Sequence, residues 1–387
     1  MCSAKARVYM RYAVILPFVH SGAQKSSVGE RMSRSLSLFG GKNQTIVGVD
    51  ISTSGVKVAE MEYGSGGFEL LACGRDELPP TAMNDRQVVE PEAVGKVLSR
   101  LLRRADIKSR TAAIAVSGSP VITKTITLPN HLSERDMEEQ IRLEADQYVP
   151  YPIEEVNLDF TVTGPSPHGD GNVSVLLAAC RSETVDERLA AIESAGMTAQ
   201  VVDIEEYALD NAIRHFVLDE QSEGVVLVCD IGGSHTMMSI FDGTKSVYRR
   251  EQGFGGRQLT EDIMRHYGMP ADEADNAKRS GKLPDDYATE VLPYFIDDLA
   301  QQIDRALQLF FANSNEYSSI DRIVFAGGTA NVPGLPQAIE DKLGVKSELV
   351  DPLARVKVGG RVRRALARAE APALLVAMGL GMRSSDQ

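Results

Sequence analysis

GVDISTSGVKVAEM, residues 48–61, continues an apolar run that begins at Thr45 and turns it onto a carboxylate, Asp50. Ser52, Thr53, Ser54 and Gly55 are small and suit a tight turn, and a second β-type run follows that carries Lys57. Two readings are open. The hairpin turns the chain and does nothing else, or its tip faces a phosphate and that phosphate's metal ion. The second has a physical basis, because phosphate oxygens need donors at close range. A turn of Gly and Ser offers clustered backbone N–H groups with little side-chain bulk. Asp50 would then hold Mg²⁺ through water, since Mg²⁺ keeps much of its hydration shell. Lys57 would come back across the turn to the same phosphates as a point charge.

The same design recurs. EGVVLVCDIGGSHTMMSIF, residues 223–241, is again a strand ending on Asp, here Asp230. A small-residue turn with Gly232, Gly233 and Ser234 follows, and then a strand that opens at Thr236. About 100 residues later IVFAGGTANVPGL (323–335) places Gly327, Gly328 and Thr329 at a strand end, where backbone can approach a nucleoside closely. Each segment alone is weak evidence, and the set is far more specific. The duplication predicts two related α/β lobes with a ligand cleft between them.

Between these landmarks the periodicity predicts strands TIVGVDI, VKVAEMEY and FELLACGR, then a helix at about 91–105 and a strand TAAIAVSG (111–118). A separate block begins at 121. Its helix, 133–149, opens on Ser133 with Asp136 in a capping-box position, and Pro150 and Pro152 close it. Strands VNLDFTVTG and VSVLLAACR, a helix at about 182–195, strand TAQVVDI (198–204) and helix 205–218 lead to the second lobe. Helices fill about 256–313, and ALLVAMGLGM forms the last one.

A chain of 387 residues is long for one compact domain, so two domains or one split domain is expected. Its net charge of −13 disfavours a nucleic-acid partner. The arginine cluster RVRRALAR (361–368) is a local exception and reads as a solvated face. Cys2, Cys73, Cys180 and Cys229 lack the C-x-x-C spacing of a zinc site and read as thiols of a reducing compartment. No run approaches the ~18–20 apolar residues of a membrane span. Residues 1–44 are Ser/Lys/Arg-rich without sustained period and are expected to be a disordered extension. Met32 would serve as a start ahead of the first strand.

The two Asp hairpins and the A-G-G-T segment resemble the phosphate loops and the adenosine motif of the actin-like ATPase superfamily. That resemblance implies an α/β fold of two duplicated lobes around an ATP and Mg²⁺ cleft. It would give Asp50, Ser52, Thr53, Ser54 and Lys57 to the first phosphate site, and Asp230, Gly232, Gly233, Ser234 and Thr236 to the second. Asp50 and Asp230 would face the metal, and Gly327, Gly328 and Thr329 the adenosine. Gly255 and Gly256 at a helix start, with Asp275 and Lys278 one turn apart, resemble the adenosine-side helices. Ser52 stands where the superfamily often has glycine. By the same resemblance, 45–118 and 200–222 form the first lobe, and 119–199 an inserted subdomain. The second lobe would be 223–254 and 314–387, with a helical subdomain at 255–313.

The insert lies between TAAIAV and TAQVVDI, as in FtsA. Its LP, helix and QYVPYPIEEVNLDF (147–160) resemble the type IV pilus assembly family PilM, as do the D-x-x-x-S-x-V-K-V-A-E opening and A-G-G-T-A-x-V-P-G-L. This implies a cytoplasmic, ATP-binding scaffold that is peripheral to the inner membrane and does not insert into it. It would grip the N-terminal cytoplasmic peptide of PilN and work with other platform proteins and motor ATPases, with homo-oligomers left open. Met137, Ile141, Ala145 and Tyr148 are either a helix core stripe or a wall of the peptide groove. Tyr148, Tyr151 and Pro152 are the better groove candidates, since Tyr is enriched at interfaces. For hydrolysis, Asp203 and Glu205 at a helix entry would orient water, or else only favour the helix dipole. Slow or negligible hydrolysis is expected. The rivals are an FtsA-like filament protein and a small-molecule kinase of the same superfamily. FtsA carries a C-terminal amphipathic membrane helix after a linker, whereas this sequence runs to MRSSDQ soon after its last predicted helix.

Overall fold

An apolar run buried on both faces and a two-residue turn at Thr53–Ser54 fold the opening segment into β1 (Thr45–Ser52) and β2 (Gly55–Gly64). A computed structural model describes residues 45–118, 120–167, 169–218 and 224–386. The expectations for residues 1–44, including a start at Met32, lie outside these. β3 (Gly67–Asp76) completes an antiparallel meander. A small ribbon of β4 (Met83–Asn84) and β5 (Gln87–Val88) follows. Next is α1 (Pro91–Arg104), whose Val94, Val97, Leu98, Leu101 and Leu102 face the sheet. β6 (Thr111–Val116) pairs parallel to β1.

The insert is a three-stranded antiparallel sheet of β7 (Val121–Pro129), β8 (Val156–Pro165) and β9 (Asn172–Arg181), in the order β7–β9–β8. α2 (Glu134–Leu143) covers one face over a small core of Ile126, Leu128, Met137, Ile141, Val175 and Leu177. Its capping box forms as expected: Asp136 N–H donates to Ser133 Oγ, and Ser133 N–H to the Asp136 carboxylate. The helix is shorter than the expected 133–149, because the chain tightens after Glu144 into a 3₁₀ turn, Ala145–Gln147.

α3 (Ser182–Ser194) returns to the first lobe and packs on α1, with Gly95 against Ser194. β10 (Thr198–Ile204) then pairs parallel to β6, and α4 (Glu205–Phe216) follows. The insert therefore closes at Arg181, not at 199, because α3 buries Val185, Ala191 and Ile192 in the core of the first lobe.

The second lobe repeats the plan: β11 (Val225–Ile231), β12 (Thr236–Asp242) and β13 (Lys245–Gln252) form its meander. Four helices follow, namely α5 (Gly256–Tyr267), α6 (Ala271–Ser280), α7 (Tyr287–Glu290) and the long α8 (Leu292–Ala312). β14 (Arg322–Ala326) pairs parallel to β11, and α9 (Leu335–Leu343) leads to β15 (Ser347–Leu349). The strand orders β10–β6–β1–β2–β3 and β15–β14–β11–β12–β13 correspond position by position, so the duplication read from sequence is a duplication of topology.

The C-terminal segment departs from the expected division. β16 (Lys357–Val358) adds to the free edge of β3. After α10 (Arg364–Glu370), α11 (Leu375–Gly381) packs on β1, β2 and α4. β16 and α11 of the tail thus pack on the first lobe, and the apolar residues Leu374, Leu375, Met378 and Leu380 join a core shared by Ile46, Met61 and Ala208 of that lobe and Val226, Val228 and Val324 of the second. α11 meets α4 closely enough that a Cβ on Gly379 would collide with the Ala208 carbonyl.

Candidate functional site

Both Asp hairpins end at one cleft. In the first, Asp50 stands opposite Lys57 in the β1–β2 register. Lys57 Nζ donates to Asp50 Oδ2 at 2.6 Å and to Ser52 Oγ at 3.0 Å. Ser52 Oγ also reaches Ser54 Oγ at 3.2 Å, so the turn hydroxyls are clustered. In the second hairpin, Asp230 stands opposite Met237. The duplicated design thus carries its cation on one side only.

The hairpin tips meet: Thr53 Oγ1 and Ser234 Oγ are 3.2 Å apart. A Cβ on Gly233 would come within 3.3 Å of Ser54 Cβ. The loop Gly232–His235 is closed by Gly232 N–H donating to the His235 carbonyl at 2.9 Å. Thr236, fully buried, donates its hydroxyl to the Phe254 carbonyl at 2.7 Å and holds the following loop against the hairpin.

That loop brings in Gly255 and Gly256. Gly256 N–H donates to the Gly232 carbonyl at 3.0 Å, and Arg257 N–H to the Gly233 carbonyl at 2.7 Å. A side chain at 255 would sit 2.7 and 2.8 Å from the carbonyl oxygens of Gly232 and Gly233. Glycine is needed there for close approach, not for its backbone angles. Thr329 Oγ1 donates to the Gly232 carbonyl at 2.8 Å, which ties the A-G-G-T segment to the same loop. Gly327 has φ +86°, and a Cβ there would strike the Ile231 carbonyl and the Asp230 carboxylate. On the helical side Lys278 Nζ donates to the Gly256 carbonyl at 2.9 Å and pairs with Asp275 at 2.9 Å. Gly328 lies next to Arg75 of the first lobe.

The electrostatics favour an added cation. Burial pushes the Asp50 carboxyl up, and Lys57 only partly offsets this. Burial also pushes Asp230 up to about 7, with Glu205 and Asp50 adding to the rise. Asp50, Asp230 and Glu205 therefore crowd together, with Lys57 and the buried Arg188 guanidinium as the cations facing Asp50, and each ionised carboxylate raises the cost of the next. Among the described residues no three His, Cys, Asp or Glu side chains converge as a complete metal cage.

Of the two candidates at the helix entry, the structure brings only Glu205 to this site. Glu205 is near enough to Asp50 and Asp230 to raise both. Asp203 does not reach it. Asp203 is fully buried and accepts from Arg383, whose Nε is 2.8 Å away and whose exposure is 1%. The pair anchors the C-terminal tail to β10, so Asp203 is a structural ion-pair member.

Sequence reasoning passed over Arg86, in the β4–β5 turn. Its guanidinium contacts Glu251 of the second lobe and lies 3.8 Å from Glu205. Arg188, itself buried, donates to the carbonyls of Arg86 (2.9 Å) and Ile51 (3.1 Å) and so fixes that turn beside the first hairpin. No periodicity marks such residues, because they come from short turns and from the polar edge of an otherwise core helix.

In the insert, Met137, Ile141 and Ala145 are core residues. Tyr148 is half-buried, donates its hydroxyl to Glu144 at 2.8 Å and carries Lys124 over its ring. Tyr151 is half-buried under Arg181, and Pro152 is exposed beside it.

Known proteins share this architecture. A chain of the "PilM-PilN type IV pilus biogenesis complex" superposes with a TM-score of 0.74 at 29% identity, over 89% of this chain and 99% of that one. The ethanolamine utilization protein EutJ of Carboxydothermus hydrogenoformans superposes with a TM-score of 0.50 at 15% identity, over 88% of this chain and 90% of that one. The cell division protein FtsA of Bacillus subtilis (strain 168) is 23% identical over 259 residues, 61% of this chain. The match spans 58% of the length of FtsA. The fold is the actin-like ATPase fold, with its insert between β6 and α3. A family model described as type IV pilus assembly protein PilM matches residues 48–385, and the chain belongs to that family.

Proposed function

We propose that the chain is an ATP-binding scaffold of the type IV pilus inner-membrane platform, and that it holds the N-terminal cytoplasmic peptide of PilN. The observation that carries this reading is the superposition on nearly the whole length of a chain from a PilM–PilN complex. The chain would work at the cytoplasmic side of the inner membrane through its partners, among other platform proteins and motor ATPases. Among the described residues no helix is long and apolar enough to cross a membrane.

The cleft suits Mg²⁺ and a nucleoside polyphosphate. Burial pushes both the Asp50 and Asp230 carboxyls up despite Lys57 beside them, and Gly327 and Gly255 let the A-G-G-T segment and the loop before α5 pack directly on the second hairpin. Asp50 and Asp230 would hold Mg²⁺ through its water shell, which that ion largely keeps. The metal would neutralise charge on the phosphates. Lys57 and the Ser52–Ser54 turn would hold one side of the phosphates, and Gly232, Gly233 and Ser234 the other. Gly327, Gly328, Thr329, Gly256, Asp275 and Lys278 would border the nucleoside.

Hydrolysis needs a group that orients water in line with the γ-phosphate. Glu205 would take that role, and its pairing with Arg86 would restrain it. Slow turnover follows, with ATP acting as a clamp between lobes. Arg86–Glu251 and Arg279–Glu77 already bridge the two lobes across the cleft. A nucleotide that favours this closed arrangement would bias the peptide groove through differential binding to open and closed states.

The test is calorimetric titration of the chain with a PilN N-terminal peptide, with and without Mg²⁺ and ATP. Saturable binding whose affinity changes with nucleotide supports the reading. An absence of peptide binding under both conditions removes the scaffold role.

A further inference from the structure

The net-negative chain carries one face of opposite sign, made by two stretches far apart in sequence. Arg361 joins them. Its guanidinium donates to the Asp106 carbonyl and pairs with buried Glu60, each at 2.6 Å. At the other end of α10, Glu370 pairs with Arg75 at 3.8 Å, and Arg104 donates to the Arg75 carbonyl. The segment just before α10 therefore touches the loop after α1, and Arg75 of β3 links the last residue of α10 to the last turn of α1.

The carboxylates of this face are used within it. Asp76 is held by Arg100 and Arg104, Asp106 by Lys108, and Glu370 by Arg75. Arg103, Arg363, Arg364 and Arg368 are exposed, and among the described residues none has a carboxylate within ion-pair distance. The large apolar side chains that are exposed elsewhere, such as Leu143 and Tyr294, have no counterpart on α1 or its following loop. Protein interfaces take most of their binding energy from buried aromatic or aliphatic anchors. The arginines of α10 and of the end of α1 suit a plane of phosphates, which guanidinium forks bind well.

We propose that the face formed by α10 and the end of α1 docks electrostatically on an anionic phospholipid bilayer, without insertion. Each arginine near such a surface strengthens binding about fivefold, and the effect fades beyond a Debye length. The inference is independent of the nucleotide cleft.

The experiment is co-sedimentation of the full chain with sucrose-loaded phosphatidylcholine vesicles, with and without phosphatidylglycerol. Binding to the phosphatidylglycerol vesicles alone, lost as salt is raised, is the expected result. Arg363→Glu/Arg364→Glu/Arg368→Glu should weaken it more than 100-fold, at about fivefold or more per charge changed, with an unchanged melting temperature. A charge-matched control on other exposed sites, Arg135→Glu/Lys245→Glu/Lys282→Glu, should weaken it far less. The proposal is overturned if the wild-type chain ignores phosphatidylglycerol vesicles at low salt, or if both triple variants lose binding equally. Capture of poly-glutamate without any vesicle binding would assign the face to an acidic protein segment instead, and would also overturn it.

Discussion

The hydroxyls of Thr53 and Ser234 lie 3.2 Å apart, so the tips of the two Asp hairpins touch across the cleft. Each hairpin ends a strand at the centre of its own sheet, and the contact brings both strand ends to one point. Any polyphosphate held there must engage both lobes together. The consequences begin with Lys57, the amine beside Asp50.

Lys57 and Asp50 are a mostly buried pair, with side-chain exposures of 13% and 7%. Removing one partner of such a pair leaves a buried charge uncompensated and costs about 3–5 kcal/mol at most. Lys57→Met should therefore lower the melting temperature, and Lys57→Met/Asp50→Asn should recover much of the loss. Both variants should lose ATP binding by at least about tenfold, since a charge-assisted contact worth ~1.5–3 kcal/mol is gone. Thermal melts with nucleotide titrations check this.

Asp230 titrates near neutrality, up to about 7 from an ordinary value of 3.8. Between those values the folded chain holds a proton that the unfolded chain has released. Folding stability from this group therefore falls as pH rises, and the penalty is complete above about 7. Mg²⁺ binding needs the ionised form, so metal-dependent nucleotide affinity should rise by up to about tenfold from pH 6 to pH 8. Asp230→Asn should flatten both slopes. Affinity measured across that range in the wild-type chain and the variant decides the matter.

Asp203 and Glu205 should separate cleanly. Asp203→Ala strands Arg383 in the core and should cost about 3–5 kcal/mol of stability. Glu205→Gln leaves stability within about 1 kcal/mol and should change phosphate release instead. Denaturant unfolding together with a phosphate-release assay on each variant is the check.

Tyr151→Ala should weaken PilN-peptide binding by about 1–2 kcal/mol, the range of a contributing interface aromatic, without loss of fold. Calorimetry that shows unchanged affinity would take Tyr151 out of the groove.

Much of this was legible in the sequence where chemistry and periodicity coincide. Two strand–Asp–turn–strand segments and a strand ending in A-G-G-T locate three sides of the cleft, because each motif is local and carries its own geometry. The capping box at Ser133 was legible for the same reason. Three features were not. The tail from β16 to α11 was assigned to the second lobe by chain order, yet β16 pairs with β3 and α11 packs on β1, β2 and α4. α3 looked like part of the insert because nothing in a helix sequence says which neighbour it packs on. Asp203 resembled its cleft-facing neighbour Glu205, and its buried partner Arg383 lies 180 residues away. All three depend on long-range packing, which local pattern does not encode.

The most direct test of the clamp is to follow ATP binding and phosphate release together in the full chain with Mg²⁺. The account predicts saturable, Mg²⁺-dependent binding with almost no release, and loss of that binding in Lys57→Met. Brisk release would make the chain an active ATPase or kinase, and an absence of binding would leave the two Asp hairpins as turns alone.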